Sequence, residues 1–472
     1  MPGIWISSWE NRTQLRRGIE SGRAPIPPAV ETGPKLRNLL SLFRSPFIRD
    51  TSTLVVGTAV AHLINLAFMP ILTRLYTSDQ FGTFSLYMVV LSIGAVIACL
   101  SYEPALVLPG EDQEAEDLLG ALIRLAVLMA AASLLVMLLL RKDLASLLKA
   151  PDLSDILLWL PINLLTIGLY QAFNYRSIRY RRFQRLSLSR GLQAGVTDGL
   201  QIGGGLAGGG ERTLVLGQIV GQATASFVLA KGGGPAPPSG PRKKPLPFSR
   251  YLSLLVRYRN FPLYSTWGTL MNVAASQNVP VILSMSFGTM ITGYYFMAVR
   301  LVSAPMALIG NALGQVLLQR AAKELTEKGN VSQLVAKTVS RSLLLWVPVF
   351  LLVAWVAPGV ISVYLGPEWK DSGRYVQALT PLFFLQILTS PISVVLIALQ
   401  KQRVIALIQG LLLLGSICSL SLAALWSASP LRSLFFYSLC QAGVYLVYLV
   451  VIMHYSSTSL RSVAQEFSLL VK

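Results

Sequence analysis

The chain has 472 residues, of which 53% are hydrophobic and only 13% are charged. Soluble domains carry about 25% charged residues, so this composition and the mean hydropathy of +0.58 exclude an ordinary soluble protein. The 40 Lys and Arg residues outnumber the 21 Asp and Glu residues, an excess typical of cytoplasmic loops beside an anionic membrane surface. The three cysteines lie in apolar runs, which excludes a disulfide framework and a zinc site.

The chain begins with residues 1–50, a basic segment containing several prolines, which predicts a disordered cytoplasmic tail. Residues 231–250 are rich in Pro, Gly, Lys and Arg and predict a cytoplasmic linker between two six-helix bundles, 51–230 and 251–455. Residues 456–472 predict a second cytoplasmic tail. Apolar runs of about 20 residues predict twelve spans. They lie at about 52–72, 81–102, 118–140, 155–172, 188–208, 213–230, 261–284, 289–317, 342–365, 375–399, 404–425 and 432–453.

The distribution of basic residues predicts the orientation in the membrane. With both termini inside, 30 Lys and Arg residues lie in inside segments and 8 lie in outside loops, a strong positive-inside bias. This count leaves Arg124 and Arg300 as the only cations within the predicted spans. The outside loops are short, so we expect no domain to fold outside the membrane.

The two halves of the chain resemble each other. Gly82 and Gly293 open spans 2 and 8 within similar hexapeptides, and a proline follows spans 3 and 9 at Pro151 and Pro367. With six spans in each half, such copies have the same orientation and form parallel repeats. The sequence therefore predicts an all-α polytopic membrane protein with about 12 transmembrane helices. These form two pseudo-symmetric six-helix bundles around a central cavity, an architecture suited to alternating access.

No G-x-x-x-x-G-K-[ST] loop occurs and the two histidines lie in different spans, so we expect no nucleotide, metal or other cofactor. Glycines recur every four residues in spans 5 and 6, a spacing that lets helices approach closely in lipid. We expect them to serve helix packing, with a moving hinge as the alternative. They are Gly191, Gly195, Gly199, Gly203, Gly217 and Gly221.

Charged residues at bilayer depth are costly and need a partner, so they are the strongest indication of a functional site. Arg300, near the middle of span 8, either holds an anionic group of a ligand or bonds to helix carbonyls. Asp198, near the middle of span 5, either exchanges protons during transport or pairs with a cation. Arg124 lies near the inside end of span 3, where it can snorkel to the surface. Two arginines facing one cavity would, however, suit a diphosphate.

Amide side chains add polarity to spans 7 and 8, where they bond either to hydroxyl groups of a ligand or to neighbouring helices. Asn272, Gln277 and Asn311 are the candidates for ligand binding. Aromatic residues near span ends are typical of anchors at the membrane interface. They are Trp159, Trp355, Trp369 and Tyr364.

Several loop motifs occur in order between about residues 45 and 400. They are Thr73-Arg74-Leu75-Tyr76-Thr77-Ser78-Asp79-Gln80-Phe81-Gly82, Tyr102-Glu103-Pro104, Tyr258-Arg259-Asn260-Phe261-Pro262, Gly314-Gln315-Val316 with Gln319-Arg320-Ala321-Ala322, and Leu365-Gly366-Pro367-Glu368-Trp369. As an ordered set they resemble the loops of bacterial polysaccharide flippases, the Wzx-type O-antigen translocases. The family usually has Arg before the Tyr-Glu pair, where this chain has Ser101.

The resemblance implies membership of the multidrug/oligosaccharidyl-lipid/polysaccharide exporter superfamily. Such proteins are transporters rather than enzymes and carry an undecaprenyl-diphosphate-linked oligosaccharide across the bacterial inner membrane, with both termini cytoplasmic. The resemblance implies alternating access coupled to an ion gradient, with Arg300 and Arg124 holding the substrate. The depth of Asp198 in its span makes it the ion-coupling candidate. The implied partners are the lipid-linked glycan, membrane lipid and a polysaccharide polymerase or chain-length regulator. No nucleic acid is implied, and the monomer is expected to function.

Other classes remain open from the sequence. A multidrug exporter should favour carboxylates within its spans, and only Asp198 lies deep here. The signature of the major facilitator group between spans 2 and 3 is missing. An integral-membrane polymerase or glycosyltransferase needs larger outside loops, and a scramblase without a coupled substrate is a further alternative.

Overall fold

The computed structural model describes residues 46–231, 248–426 and 429–471, so the predicted tail up to residue 45 and most of the predicted linker lie outside it. The described residues form helices and loops and contain no strand. Twelve long helices, numbered in chain order, correspond to the predicted spans. They are α1 Pro46–Leu75, α2 Ser78–Ala98, α3 Asp112–Leu147, α4 Leu160–Arg179, α5 Phe183–Leu206, α6 Gly210–Ala230, α7 Thr266–Phe287, α8 Thr289–Lys328, α9 Ser332–Leu365, α10 Lys370–Thr389, α11 Gln402–Trp426 and α12 Pro430–Tyr455.

Two amphipathic helices lie beside this set. We call Phe248–Arg257 the linker helix and Leu460–Val471 the C-terminal helix. Short helical turns complete the described chain. They are Glu103–Val107, Leu153–Ile156, Leu157–Trp159, Phe261–Ser265, Pro367–Trp369 and Val394–Ala398.

Within the described ranges, ten helices are long and apolar enough to cross a membrane by length and composition. Helices α5 and α7 have 24 and 22 residues, which is long enough to cross, but neither contains a stretch as apolar as those of the other ten. Helix α5 carries Arg190 and Asp198, and α7 carries Asn272, Gln277 and Asn278. The predicted all-α architecture is confirmed, and these two polar helices both line the cavity described below.

The two halves pack their helices in the same pattern. In the first half α3 packs on α4, α4 on α6, and α5 on α6; in the second half α9 packs on α10, α10 on α12, and α11 on α12. The amphipathic helix that follows the sixth helix of each half returns to the third helix of that half. Thus the linker helix contacts α3 and the C-terminal helix contacts α9. The predicted repeat is therefore present in the fold.

A reciprocal capping box fixes the start of α2. The backbone N–H of Gln80 donates to the Thr77 hydroxyl at 3.3 Å, and the Thr77 N–H donates to Oε1 of Gln80 at 3.1 Å. Each side chain thus satisfies a backbone group that the helix itself leaves unpaired. The Thr77-Ser78-Asp79-Gln80 part of the first loop motif therefore has a structural role in setting where α2 begins.

The glycines that open α2 and α8 face each other across the two halves. A Cβ atom added to Gly82 would lie 1.9 Å from the carbonyl oxygen of Thr289, and one added to Gly293 would lie 1.8 Å from that of Ser78. Ser78 lies four positions before Gly82, and Thr289 lies four positions before Gly293, so each glycine contacts the residue that stands four positions before the other glycine. The contact is therefore isologous, as expected on a pseudo-twofold axis, and it closes this end of the molecule.

Further contacts join the halves at the same end. The Thr73 hydroxyl donates to the Leu365 carbonyl at 2.8 Å, and the indole N–H of Trp369 donates to the Thr73 carbonyl at 2.9 Å. Trp369 is only 2% exposed, with its ring against Phe81 and Tyr294. The expectation that Trp369 is an interfacial anchor is therefore wrong, because its indole finds apolar and hydrogen-bonding partners within the protein.

The glycines of α5 and α6 have different surroundings. A Cβ atom on Gly217 or Gly221 would lie 2.8 or 2.9 Å from a carbonyl oxygen of α5, so these two glycines do allow close packing of α6 on α5. The four glycines of α5 at 191, 195, 199 and 203 have open space around them, with no atom within 4 Å of an added Cβ. The packing prediction is confirmed for α6 and wrong for this face of α5, because a four-residue spacing does not say which way a face points.

Ion pairs join the acidic first turns of α3 to basic residues of other elements. Arg176 lies 2.7 Å from Glu116, Arg179 lies 2.9 Å from Asp112, and Arg257 of the linker helix lies 2.8 Å from Glu114. These pairs hold α3, α4 and the linker helix together at the end of the molecule opposite the Gly82–Gly293 contact.

Candidate functional site

A cavity of about 650 Å³ lies between the halves, lined by α1, α2, α4, α5, α6, α7 and α8. Its wall combines aromatic and aliphatic side chains with many uncharged polar groups. Among the described residues, two arginines and one histidine line it, and no Asp or Glu does. The polar and charged lining includes Thr58, His62, Asn65, Arg190, Gln193, Thr197, Gln201, Gln218, Gln277 and Arg300.

Arg300 lies about three helical turns into α8 and is half-buried at the cavity wall. Its guanidinium lies 5.9 Å from the centre of the Phe296 ring. In the described part of the chain it forms no hydrogen bond and no ion pair within 4 Å. A guanidinium has five N–H donors, so Arg300 has donors to offer to a ligand in the cavity.

Arg190 is the second arginine of the cavity, and the sequence assigned it to an inside loop. Helix α5 begins at Phe183, so Arg190 lies two turns inside the helix, where Nη1 donates to the Thr58 hydroxyl of α1. The expectation that Arg124 and Arg300 are the only cations within the spans is therefore wrong. The predicted start of span 5 at residue 188 was the available signal, because it already placed Arg190 in the span.

Asp198 is fully buried on α5, one residue after the cavity-lining Thr197. Neither carboxylate oxygen has a hydrogen-bond partner among the described residues. Its charge interacts through space with that of Arg300, without an ion pair within 4 Å. Because buried charges need compensation, the charge of each residue depends on that of the other.

The other predicted binding residues lie in different places. Gln277 lines the large cavity, whereas Asn311 lines a smaller cavity of about 270 Å³ between α8 and α10. Arg124 and Asn272 are not among the described residues that line either cavity. Arg124 donates to the Gly120 carbonyl at 2.9 Å, and its guanidinium lies 4.0 Å from the centre of the Tyr251 ring in the linker helix.

A third cavity of about 350 Å³ lies between α1 and α8 and shares His62, Asn65, Arg300 and Ser303 with the large one. The smaller cavity near Asn311 shares Ser303 and Ala307 with this third cavity. The three spaces therefore follow α8, with Arg300 at the junction of the large cavity and the third cavity. No group of three His, Cys, Asp or Glu side chains in the described ranges is placed to hold a metal ion.

The arrangement suits an anionic group of a large ligand. Two arginines at bilayer depth, without a carboxylate in the wall, supply the charge that a phosphate needs in a region of low dielectric constant. The uncharged amides and hydroxyls around them can form hydrogen bonds with a polar ligand.

Solved structures of transporters have a similar fold. The chain is similar to "Lipid II flippase MurJ, inward closed conformation", with a TM-score of 0.70 and 12% identity, over 88% of this chain and 89% of that chain. It is similar to an inward-facing multidrug resistance MATE family transporter of the MOP superfamily, with a TM-score of 0.58 and 13% identity, over 86% and 96% of the two chains. A MATE transporter of Vibrio cholerae, VcmN, gives a TM-score of 0.51 and 18% identity over 88% and 96%.

Curated protein sequences give no match to the chain. The sequence profile of the polysaccharide biosynthesis protein family matches residues 71–374, which include the Gly82–Gly293 contact, all of the loop motifs and the cavity lining other than that from α1. The chain therefore belongs to the polysaccharide biosynthesis protein family and has the fold of MOP-superfamily transporters.

Proposed function

We propose that the protein is a flippase that carries a lipid-linked oligosaccharide across the membrane by alternating access. The observation that carries this proposal is the cavity between the halves, which Arg190 and Arg300 line without any described carboxylate. Arginine binds phosphate oxygens in a bidentate manner, so the pair suits the diphosphate that joins lipid to glycan. The prenyl tail can remain in the bilayer, while the amides of the cavity bind the sugars.

The residues would divide the substrate between them. Arg300 and Arg190 would hold the diphosphate, and Gln277 would bind sugar hydroxyls in the same cavity. Asn311 would meet the substrate farther along α8, in the smaller cavity. Arg124 and Asn272 would contact substrate only after a rearrangement of the helices, because neither lines the cavity in the conformation described.

Asp198 is the proposed coupling residue. Its buried carboxylate interacts electrostatically with Arg300 and lacks hydrogen-bond partners in the described chain. A diphosphate bound to Arg300 would compete for the same positive charge, so the carboxylate would then take up a cation, which we propose is a proton. Occupation of the cavity by the diphosphate and protonation of Asp198 would in this way be linked.

The cellular setting follows from the family and the distribution of charge. We place the protein in the bacterial inner membrane with both termini in the cytoplasm, because the segments assigned to that side carry most of the Lys and Arg residues. The proposed cargo is an O-antigen or exopolysaccharide repeat unit on undecaprenyl diphosphate. The protein would act as a monomer that makes and breaks no covalent bond, beside a polysaccharide polymerase or chain-length regulator.

The test is deletion of the gene followed by complementation. Deletion should cause lipid-linked repeat units to accumulate inside the cell while surface polysaccharide is lost. Arg300→Ala should fail to restore the polymer at normal protein levels, Arg300→Lys should restore it in part, and Arg403→Ala, an exposed cation outside the cavity, should restore it fully. Full activity of Arg300→Ala would remove Arg300 from the proposed site.

A drug exporter is the second candidate, because multidrug transporters are among the structures with this fold. Unchanged surface polysaccharide after deletion, together with higher sensitivity to a cationic drug, would favour it over the flippase. Arginines in the cavity wall weigh against this candidate, because they repel cationic compounds.

A further inference from the structure

A fourth pocket, which shares no lining residue with the three cavities described above, lies between the end of α8 and the start of α9. It encloses about 450 Å³ and is lined mainly by charged side chains. Four cations and two carboxylates line it: Arg320, Lys323, Glu324 and Glu327 from α8, and Lys337 and Arg341 from α9. We call it the basic pocket.

The charge of the basic pocket is only partly neutralised. Lys323 lies 3.7 Å from Glu327, and Lys337 lies 3.9 Å from Glu466 of the C-terminal helix. In the described part of the chain, Arg320 and Arg341 have no carboxylate within 4 Å, although both are exposed. The two arginines are therefore the cations of this pocket that remain available to an anion.

The position of the two arginines along their helices indicates what kind of anion they meet. Predicted span 8 ends at residue 317 and predicted span 9 begins at residue 342, so both arginines lie at the boundary of the apolar core. The positive-inside rule assigns this face to the cytoplasm. One turn deeper on each helix, Val316 is 47% exposed and Leu345 is 57% exposed. Each helix is thus cationic at head-group depth and has an exposed apolar side chain one turn deeper.

We infer that the basic pocket binds an anionic phospholipid of the surrounding leaflet. The phosphate would lie between Arg320 and Arg341, and the acyl chains would follow the exposed side chains of Val316 and Leu345. Basic pockets between helices at the membrane surface are suited to such head groups, because charge attraction and apolar contact act on the same molecule. A bound lipid would link the ends of α8 and α9, and α8 carries Arg300 of the transport cavity.

The experiment measures lipid binding to the purified full-length protein by native mass spectrometry. The probes are phosphatidylglycerol, phosphatidylcholine with the same acyl chains, and a short-chain prenyl diphosphate. The pocket variant is R320Q with R341Q, and the matched control is R403Q with R461Q, two exposed arginines outside the pocket. A charge-retaining variant, R320K with R341K, reports whether loss of binding follows from charge rather than from misfolding.

The pocket variant should bind phosphatidylglycerol about 30-fold more weakly than the unmodified protein, since each basic residue near the surface contributes about a factor of five. The control variant should stay within about twofold, and the lysine variant should retain most of the affinity. Phosphatidylcholine should bind weakly to every variant.

Three results would overturn the inference: unchanged phosphatidylglycerol binding in the pocket variant, equal binding of phosphatidylcholine, or loss of prenyl diphosphate binding alone. The last result would assign the pocket to the transport substrate. The assay involves no transport, so its outcome is independent of the proposed flippase activity.

Discussion

Alanine at Gly82 or Gly293 should open the end of the molecule that these glycines close. An added Cβ would lie 1.9 Å from the Thr289 carbonyl oxygen or 1.8 Å from that of Ser78, whereas ordinary contacts begin near 3.4 Å. The halves would therefore have to separate by about 1.5 Å at this point. Both clashes involve backbone atoms, which cannot rotate away as a side chain can. Neither glycine has a positive φ, so alanine adds no backbone strain of its own.

The magnitude follows from the cost of overpacking, about 1–3 kcal/mol for each substitution. The clash exists only while the halves touch at this end, so its cost raises the free energy of the closed conformation alone. That shifts the population towards the opposite conformation by about 5- to 150-fold. The two clashes belong to one interface, so the double variant should shift the population by less than the product of the single effects.

The assay is the labelling rate of a single cysteine by a membrane-impermeant maleimide added from the closed side, in a chain whose Cys99, Cys418 and Cys440 are replaced by serine. Ser85→Cys provides the reporter, because Ser85 lines the cavity and is 2% exposed. Labelling should be faster in Gly82→Ala and in Gly293→Ala. The control is Gly359→Ala, where an added Cβ meets no atom within 4 Å and the rate should not change. Equal labelling rates in folded Gly82→Ala and the unmodified protein would refute the reasoning.

Three further predictions concern stability, each measured as the free energy of unfolding or the melting temperature in detergent. Gly195 faces open space, so Gly195→Ala should leave the free energy of unfolding unchanged or raise it by up to about 1 kcal/mol. In Gly217→Ala the added Cβ would lie 2.8 Å from a carbonyl oxygen, so the free energy of unfolding should fall by about 1–3 kcal/mol. The reverse order would contradict the packing described for α5 and α6. Burial raises the pKa of the Glu103 carboxyl, so the unfolding free energy should be highest below its ordinary pKa of 4.5 and fall as the pH rises through the raised pKa. Glu103→Gln should therefore raise the melting temperature near neutral pH and leave it unchanged at low pH. A double-mutant cycle that combines Arg124→Ala with Tyr251→Ala should give a coupling free energy of about 0.5–1 kcal/mol, because both partners of the cation–π contact are removed. The cycle with Tyr251→Phe should give less, because phenylalanine keeps a ring under the guanidinium. A coupling of zero in the alanine cycle would show that the contact does not stabilise the protein.

The repeat could be predicted from the sequence because its glycines are required by geometry. Gly82 and Gly293 occupy equivalent positions on a contact axis where no side chain fits, so both halves keep the same residue. The helices could be predicted because apolar runs of the right length have few alternatives in lipid. Arg300 could be singled out because it lies far from either end of a long apolar run.

Arg190 was missed for the opposite reason. It lies two turns from the start of α5, in a stretch that resembles an inside loop because Arg181, Arg182 and Arg185 precede it. The count of basic residues grouped Arg190 with these loop residues, although the predicted start of span 5 at residue 188 placed it inside the span. Which face of α5 meets α6 was unpredictable, since the glycines of α5 recur with the same period as those of α6. Only the tertiary contacts decide which face packs.

The polarity of α5 has a consequence for how the protein is made. Each charged residue at the centre of a helix opposes insertion into the bilayer by about 2.5–3.5 kcal/mol, so a helix carrying Arg190 and Asp198 gains little from entering lipid alone. Helix α6 follows after a turn of three residues, and its glycines fit against Thr197. We therefore expect α5 and α6 to leave the translocon as one hairpin. A substitution that separates them would then deplete the protein from the membrane before any transport defect could be seen.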